Sequence, residues 1–271
     1  MNKVTPKFLV TVLTSFILLV KPLSSKSEGI SVDAGLTPGQ DRIIVRMQYR
    51  YVMNEMNGNT LSMHMMPIVV AYGLSPGITL MMRNGYRAVG SNETMMEMGN
   101  RWLDPFLMGK VKLFRLNTRD YSFGVAGFAG SSFPILSSSM AKTYSPKVGI
   151  NASFRPGLWS FDLNNAYEWV NYNAGEKQAE ARQLQLNLAI SRNIEINGLE
   201  NIIISPVQEF SFVHNKSPET GTGTSFGFIS PGFQIVSPHI KFEALYQFGL
   251  NESSATMKYG NRFIAGLRIM F

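Results

Sequence analysis

The sequence predicts an all-β fold, a transmembrane antiparallel up-and-down β-barrel of about twelve strands, and three observations point there. Apolar and polar residues alternate with period two in runs of about ten residues, the length a tilted strand needs to cross a bilayer. The polar positions of these runs include charges, so that face cannot be a core, and the opposite apolar face needs oil to lie against. The connections between runs alternate, polar loops of roughly 8–17 residues following odd-numbered strands and mostly tight Pro, Gly, Asn or Asp turns following even ones. A soluble sandwich has no reason to place its long loops at every second junction. A helical bundle would need apolar spacing of 3.6, which is absent after Val20, and a solenoid would need a fixed repeat.

Composition agrees. Charged residues are 16% of the 271 and aromatics 11%, and mean hydropathy is zero. Helical membrane proteins are far more apolar because their spans are solid apolar runs. There is no cysteine, which removes disulfides and thiolate metal sites and fits export to an oxidising compartment.

Lys3 and Lys7 precede the apolar run Phe8–Val20, and Lys21-Pro22 ends it before Ser24 and Ser25. This is the layout of a secretory signal peptide, expected over residues 1–25. Thirteen helical residues reach only about 20 Å, short for a membrane anchor. Cleavage after Ser25 removes Lys3, Lys7 and Lys21 and no acid, lowering the formal charge from +7 to +4. So mild and scattered a charge does not argue for nucleic acid.

Residues 26–41 are polar with Gly29, Gly35, Pro38 and Gly39. They read as an N-terminal lead-in that lies across the barrel's inner opening or stays disordered. The barrel is expected over residues 42–271. Strand one alternates Ile43, Val45, Met47, Tyr49 and Tyr51 with Ile44, Arg46, Gln48 and Arg50. A loop at Asn54–Thr60 leads to strand two, Leu61–Tyr72, and the turn Gly73–Gly77. Strand three sets Ile78, Leu80, Met82 and Tyr86 against Thr79, Met81, Arg83 and Arg87. The polar stretch Ala88–Asp104 precedes strand four, Phe106–Arg115, and a turn at Leu116–Asp120.

Strand five carries Tyr121, Phe123, Val125, Gly127 and Ala129. A Ser-rich loop, Ser131–Thr143, opens strand six, with Val148, Ile150, Ala152 and Phe154. After the turn at Arg155-Pro-Gly157, strand seven opposes Trp159, Phe161, Leu163, Tyr167 and Trp169 to Ser160, Asp162, Asn164 and Glu168. A polar loop, Asn171–Ala181, precedes strand eight, with Leu184, Leu186, Leu188 and Ile190. Strand nine, Ile202–Phe212, carries a bulge expected at Pro206 because proline cannot donate to a ladder. A loop at His214–Gly223 and an interruption at Pro231-Gly232 frame strand ten, Ser225–Val236. Strand eleven sets Ile240, Phe242, Ala244, Tyr246 and Phe248 against His239, Lys241, Glu243 and Gln247. Strand twelve has Tyr259, Phe263, Ala265, Leu267, Ile269 and Phe271 on one face and Arg262, Gly266 and Arg268 on the other.

By parity the lumen is expected to receive Arg46, Arg83, Lys147, Arg155, Asp162, Glu168, Lys241, Glu243 and Arg268. Opposite charges there can pair across strands and brace the interior, and they are the candidates for any selectivity. Tyr49, Tyr51, Tyr86, Trp159, Trp169 and Tyr246 fall toward strand ends, where aromatic girdles sit. Twelve strands imply an interior narrower than an open porin's.

Twelve of the sixteen methionines lie between Met47 and Met108. Thioethers and imidazole are soft ligands of the kind Cu(I) accepts. Met53 and Met56 read as first-loop residues, Met95, Met96 and Met98 as second-loop residues, and Met63, His64, Met65 and Met66 as the start of strand two. Together they would gather at one external rim, a candidate copper site; the competing reading is Met as a flexible hydrophobe. No cofactor is otherwise expected. Catalysis is not expected either. The histidines are His64, His214 and His239, His214 lacks a Gly-framed nucleophile nearby, and no phosphate, zinc-helix or calcium motif is present. Outer-membrane phospholipases also have about twelve strands, but their Asn, His and Ser constellation has no counterpart here.

Two resemblances add to this. The last strand, ending at Phe271, resembles the closing strand of bacterial outer-membrane barrels, whose final Phe is part of the signal read by the barrel assembly machinery. Asp33-Ala-Gly-Leu-Thr-Pro-Gly39, the aromatic and basic opening strand and Tyr72-Gly-Leu-Ser-Pro-Gly77 resemble the family named for the meta-pathway of phenol degradation. Ser75-Pro76 stands where that family has Thr-Asp, and richness in Met is not its hallmark. The resemblance covers the first third of the chain in recognisable words and the rest in rhythm, and it supplies no catalytic residues. It implies a signal-bearing outer-membrane barrel that moves small solutes, and the expectation for this chain is a monomeric passive channel or transporter of that kind. The alternatives are a barrel responding to copper at its rim and a non-conducting structural or adhesive barrel.

Overall fold

The computed structural model describes residues 29–30, 39–56, 59–89, 101–135, 144–174, 177–196, 201–216, 223–250 and 257–271. Twelve long strands form one sheet: β1 Ile43–Met56, β2 Asn59–Ser75, β3 Ile78–Val89, β4 Phe106–Asn117, β5 Tyr121–Ser132, β6 Ser145–Pro156, β7 Trp159–Ala174, β8 Lys177–Arg192, β9 Ile203–Lys216, β10 Gly223–Val236, β11 Ile240–Gly249 and β12 Met257–Met270. Two-residue strands at Arg101–Trp102 and Ile194–Glu195 add to β3 and β9 respectively. Each long strand pairs antiparallel with the next. The ring closes because β1 pairs with β12 from Ile44↔Met270 to Met56↔Met257. Phe271 lengthens that seam, exchanging backbone bonds with Ile43 at 2.9 and 3.2 Å. A closed ladder leaves no edge, the condition for placing backbone amides in lipid.

Burial is the reverse of a soluble protein's. The largest fully buried side chains include Arg155, Lys241, Gln234, Glu209, Glu243 and Asp162, while every one of the twelve strands exposes large hydrophobics on its outer face. An apolar surface this continuous far exceeds what a water-soluble monomer carries and is matched by lipid. Toward the short-turn end, Phe114, Phe123, Tyr121, Phe154, Phe161 and Trp159 form a chain of ring contacts across β4–β7. Toward the loop end lie Tyr49, Tyr51 and His64, Tyr86 with Trp102, Tyr167 with Trp169, and Tyr246 with Phe248. The expected girdle residues therefore occupy both rims of the apolar band. Replacing Ile150, 54% exposed on the outer face of β6, by Arg is expected to destabilise the barrel by about 2–4 kcal/mol, the penalty of a cation near the bilayer midplane. Reversible urea unfolding in lipid vesicles measures this.

Several boundaries differ from the sequence reading. Asn54–Thr60 is not a loop, because β1 and β2 stay paired out to Met56↔Asn59, leaving a two-residue connection. Asn171–Ala181 is likewise mostly ladder, paired out to Ala174↔Lys177. His214 belongs to β9, paired with Ser225 and Leu184. The physical reason is common to all three. Polar side chains mark where a strand leaves lipid, and the ladder continues into water. The turn-side connection between Arg192 and Ile203 is longer than its neighbours.

Pro206 makes no bulge. It pairs in register with Phe233, and the β8–β9 ladder begins only at Val207, so the missing donor falls outside that ladder. Pro231 does interrupt pairing, but only on the β11 side, where partners are missing between Ile229↔Phe248 and Gly232↔Leu245 without a change of register. Register shifts fall instead at Val52/Asn54, Gly73/Ser75 and Lys112/Phe114.

Candidate functional site: the lumen

Alternation along each strand carries the polar set inward. All nine lumen candidates lie on the inward parity, and the structure joins eight of them into three groups. Arg155 Nη2 donates to Asp162 at 2.7 and 3.0 Å, both side chains 1% exposed, and Ser153 Oγ donates to the same carboxylate. Lys147 sits 3.2 Å from Glu168 and donates to Gln185 at 2.7 Å. The third group spans the seam. Arg46, Arg268 and Lys241 occupy one register row across β1, β12 and β11. Three neighbouring cations repel, and Glu243, one step away, reaches Arg46 at 2.7 Å and Arg268 at 3.8 Å. Arg83 is apart from these groups, its guanidinium 5.0 Å from the Phe106 ring centroid.

Glycine makes the seam bridge geometrically available. Gln48, Gly266 and Glu243 share a register row, and Gln48 Nε2 donates to Glu243 Oε1 at 2.8 Å across β12. A Cβ at position 266 would stand 2.8 Å from Glu243 Oε1, 2.9 Å from Gln48 Cγ and 3.0 Å from the Met47 carbonyl. Gly266→Ala is therefore expected to cost about 1–3 kcal/mol through overpacking, read by the same unfolding assay. A neutral result would mean that nothing spans the strand.

The lumen also holds part of the chain itself. Gly29 and Ile30, from the lead-in, lie inside the barrel. The Gly29 amide donates to Asp162 Oδ2 at 3.0 Å, the Ile30 amide donates to Glu209, and the Ile30 carbonyl accepts from Gln48 at 3.1 Å. Ile30 is fully buried and packs with Val207, Leu245 and Ile264. Strands β1, β7, β9, β11 and β12 thus all contribute to its seat. Glu209, Gln48 and Arg50 were not among the candidates, although Gln48 and Arg50 sit on the same alternating face as Arg46. Glu209 shares parity with Ser205 and Val207, and the same count would have found it.

Among the described residues, an open pocket lies on the β1–β8 side of the lumen, bounded by residues that include Arg46, Arg50, Arg83, Phe106, Phe128 and Lys147. An amide ladder runs along its wall, Asn187 donating to Asn164 at 3.1 Å and Asn164 to Asn151.

The methionine cluster is divided by the alternation that builds the wall. Met53 lies within β1, paired with Ser62, and Met56 pairs with Asn59, so neither is a loop residue. Met63 and Met65 share the inward face with Val52 and Arg50, whereas His64 and Met66 face outward, His64 bonded through Nδ1 to the Tyr49 hydroxyl at 2.7 Å. Met95, Met96 and Met98 lie outside the described residues, as does the expected signal peptide. His214 Nδ1 is 2.7 Å from Ser225 Oγ, on the outward parity near the loop end. Among the described residues no three His, Asp or Glu side chains converge on a metal-sized site.

No family model and no curated protein matches the sequence. Among solved structures the chain is similar to an outer-membrane channel from Pseudomonas putida F1, with a TM-score of 0.60 and 13% identity over 91% of this chain and 100% of that one. It is also similar to the β domain of the Bordetella autotransporter BrkA, with a TM-score of 0.52 and 12% identity over 85% of this chain and 100% of that one. Identities this low describe a shared fold. That fold, with its lipid-matched belt, defines the class: a β-barrel of the bacterial outer membrane.

Proposed function

We propose that the protein is a monomeric passive channel for small solutes, a member of the meta-pathway phenol degradation-like barrels that its N-terminal phrases resemble. The observation that carries this reading is the unfilled, polar-lined space inside a closed wall. A barrel serving only as scaffold or adhesin gains nothing from leaving charged side chains around a void, since each must be kept solvated or paired. The fold shared with an outer-membrane channel supports the same reading. Assembly would follow recognition of the last strand, whose Phe271 lies at the seam with Ile43, by the barrel assembly machinery.

The test is electrical. Purified full-length barrel inserted into planar bilayers should give discrete conductance steps in potassium chloride. A correctly folded barrel that stays silent at all voltages and salt concentrations removes the channel reading and leaves the structural one.

A further inference from the structure

The open part of the lumen is electrically one-sided. Its wall carries four cations, Arg46, Arg50, Arg83 and Lys147, and no carboxylate. Two are compensated from alongside, Arg46 by Glu243 and Lys147 by Glu168. The other two form no ion pair, although Glu243 acts on Arg50 from farther off. Arg50 directs Nε and Nη2 to the neutral Oε1 of Gln48, at 3.2 and 2.7 Å. Arg83 is exposed to the lumen and rests over the Phe106 ring. Neither has a carboxylate partner among the described residues.

The rest of the boundary divides into amides, Gln48, Asn164, Gln185 and Asn187, and one contiguous apolar wall. Phe106, Met108 and Phe128 form a cluster with Met81 packed against it, and Pro67 and Val69 continue the surface. Gly149 preserves this wall, because a Cβ there would fall 2.4 Å from the Phe128 ring. Water gains little against such a surface, whereas a ligand's hydrocarbon does. A guanidinium presents donors in a fork that matches a carboxylate.

We propose that this space binds small carboxylate-bearing solutes with an apolar body, Arg50 and Arg83 taking the carboxylate and the Met81–Phe106–Phe128 wall taking the body. The channel reading supplies the solute's route; the binding itself needs only the lumen as it stands. Both guanidinium charge and apolar wall enter, so a bare anion satisfies half the site and a neutral aromatic the other half.

The probes are benzoate, benzyl alcohol and acetate, titrated calorimetrically into the full-length barrel in detergent at low salt. Benzoate is expected to bind at least about tenfold more tightly than either of the others. The Arg50→Gln/Arg83→Gln variant should lose about tenfold for benzoate and nothing for benzyl alcohol, with the heat-modifiable electrophoretic shift confirming its fold. If the double variant does not fold, Arg83→Gln alone, at a lumen-exposed position, carries the same comparison. Benzoate no tighter than benzyl alcohol, benzoate no tighter than acetate, or undiminished binding by the folded variant each overturns the proposal. Binding without conductance would retain this site and reject the channel; conductance without preference for benzoate would do the reverse.

Discussion

Removing residues 26–40 is expected to raise single-channel conductance about twofold or more and to shift ion preference toward cations. In the lead-in, Gly29 and Ile30 are fixed in the lumen by three hydrogen bonds from three different strands, through Asp162, Glu209 and Gln48. Ile30 is sealed against Val207, Leu245 and Ile264. Taking Gly29 and Ile30 away frees the space that they share with Asp162 and Glu209 and turns those carboxylates toward water. Conductance should rise because cross-section increases, and selectivity should change because acids newly line the path. Planar bilayers under a potassium chloride gradient give both numbers from one preparation. Unchanged conductance and reversal potential would show that Gly29 and Ile30 do not obstruct flow.

The second large effect is energetic. Glu243→Gln is expected to destabilise the barrel by about 3–5 kcal/mol, the range for removing one partner of a buried ion pair. Glu243 is fully buried and meets Arg46 and Arg268, which share a row with the equally buried Lys241. The amide keeps the shape and loses the charge that offsets this row. Glu168→Gln provides the contrast. Its ion pair with Lys147 leaves both side chains partly solvated, at 19% and 13% exposure, so its loss should stay near or below about 1 kcal/mol. Equal effects at the two positions, in unfolding titrations of vesicle-embedded barrel, would mean that burial is not what makes the seam cluster matter.

Legibility of the fold followed from period two. Every lumen candidate was named from parity alone, because a one-residue error would have put a charge in lipid. The strand ends were not legible by the same signal. At β1–β2 and β7–β8 the polar residues beyond the membrane stay hydrogen-bonded, and hydropathy does not distinguish a solvated strand from a solvated loop. The dipeptides Asn57-Gly58 and Gly175-Glu176 fit two-residue hairpin connections and would have set those boundaries. Pro206 misled because the rule concerns a missing donor, and at Pro206 the neighbouring ladder had not begun. The methionines misled through loop placement, since once Met53 and Met63–Met66 lie on strands, alternation parts them between two faces. The place of Gly29 and Ile30 inside the lumen rests on contacts up to 179 positions apart in sequence, which no local pattern contains.

The central claim is that water and solute pass along the inward set of side chains while the adjacent set touches lipid. The chain has no cysteine, so single-cysteine variants report one position each. Arg83→Cys and Met82→Cys differ by one residue along β3, Arg83 turned to the lumen and Met82, 45% exposed, to the outer wall. A charged, water-soluble methanethiosulfonate reagent applied to each channel during bilayer recording should block current through Arg83→Cys and leave Met82→Cys unmodified. Current loss at Met82→Cys with Arg83→Cys inert would place the aqueous path on the other face and contradict the account.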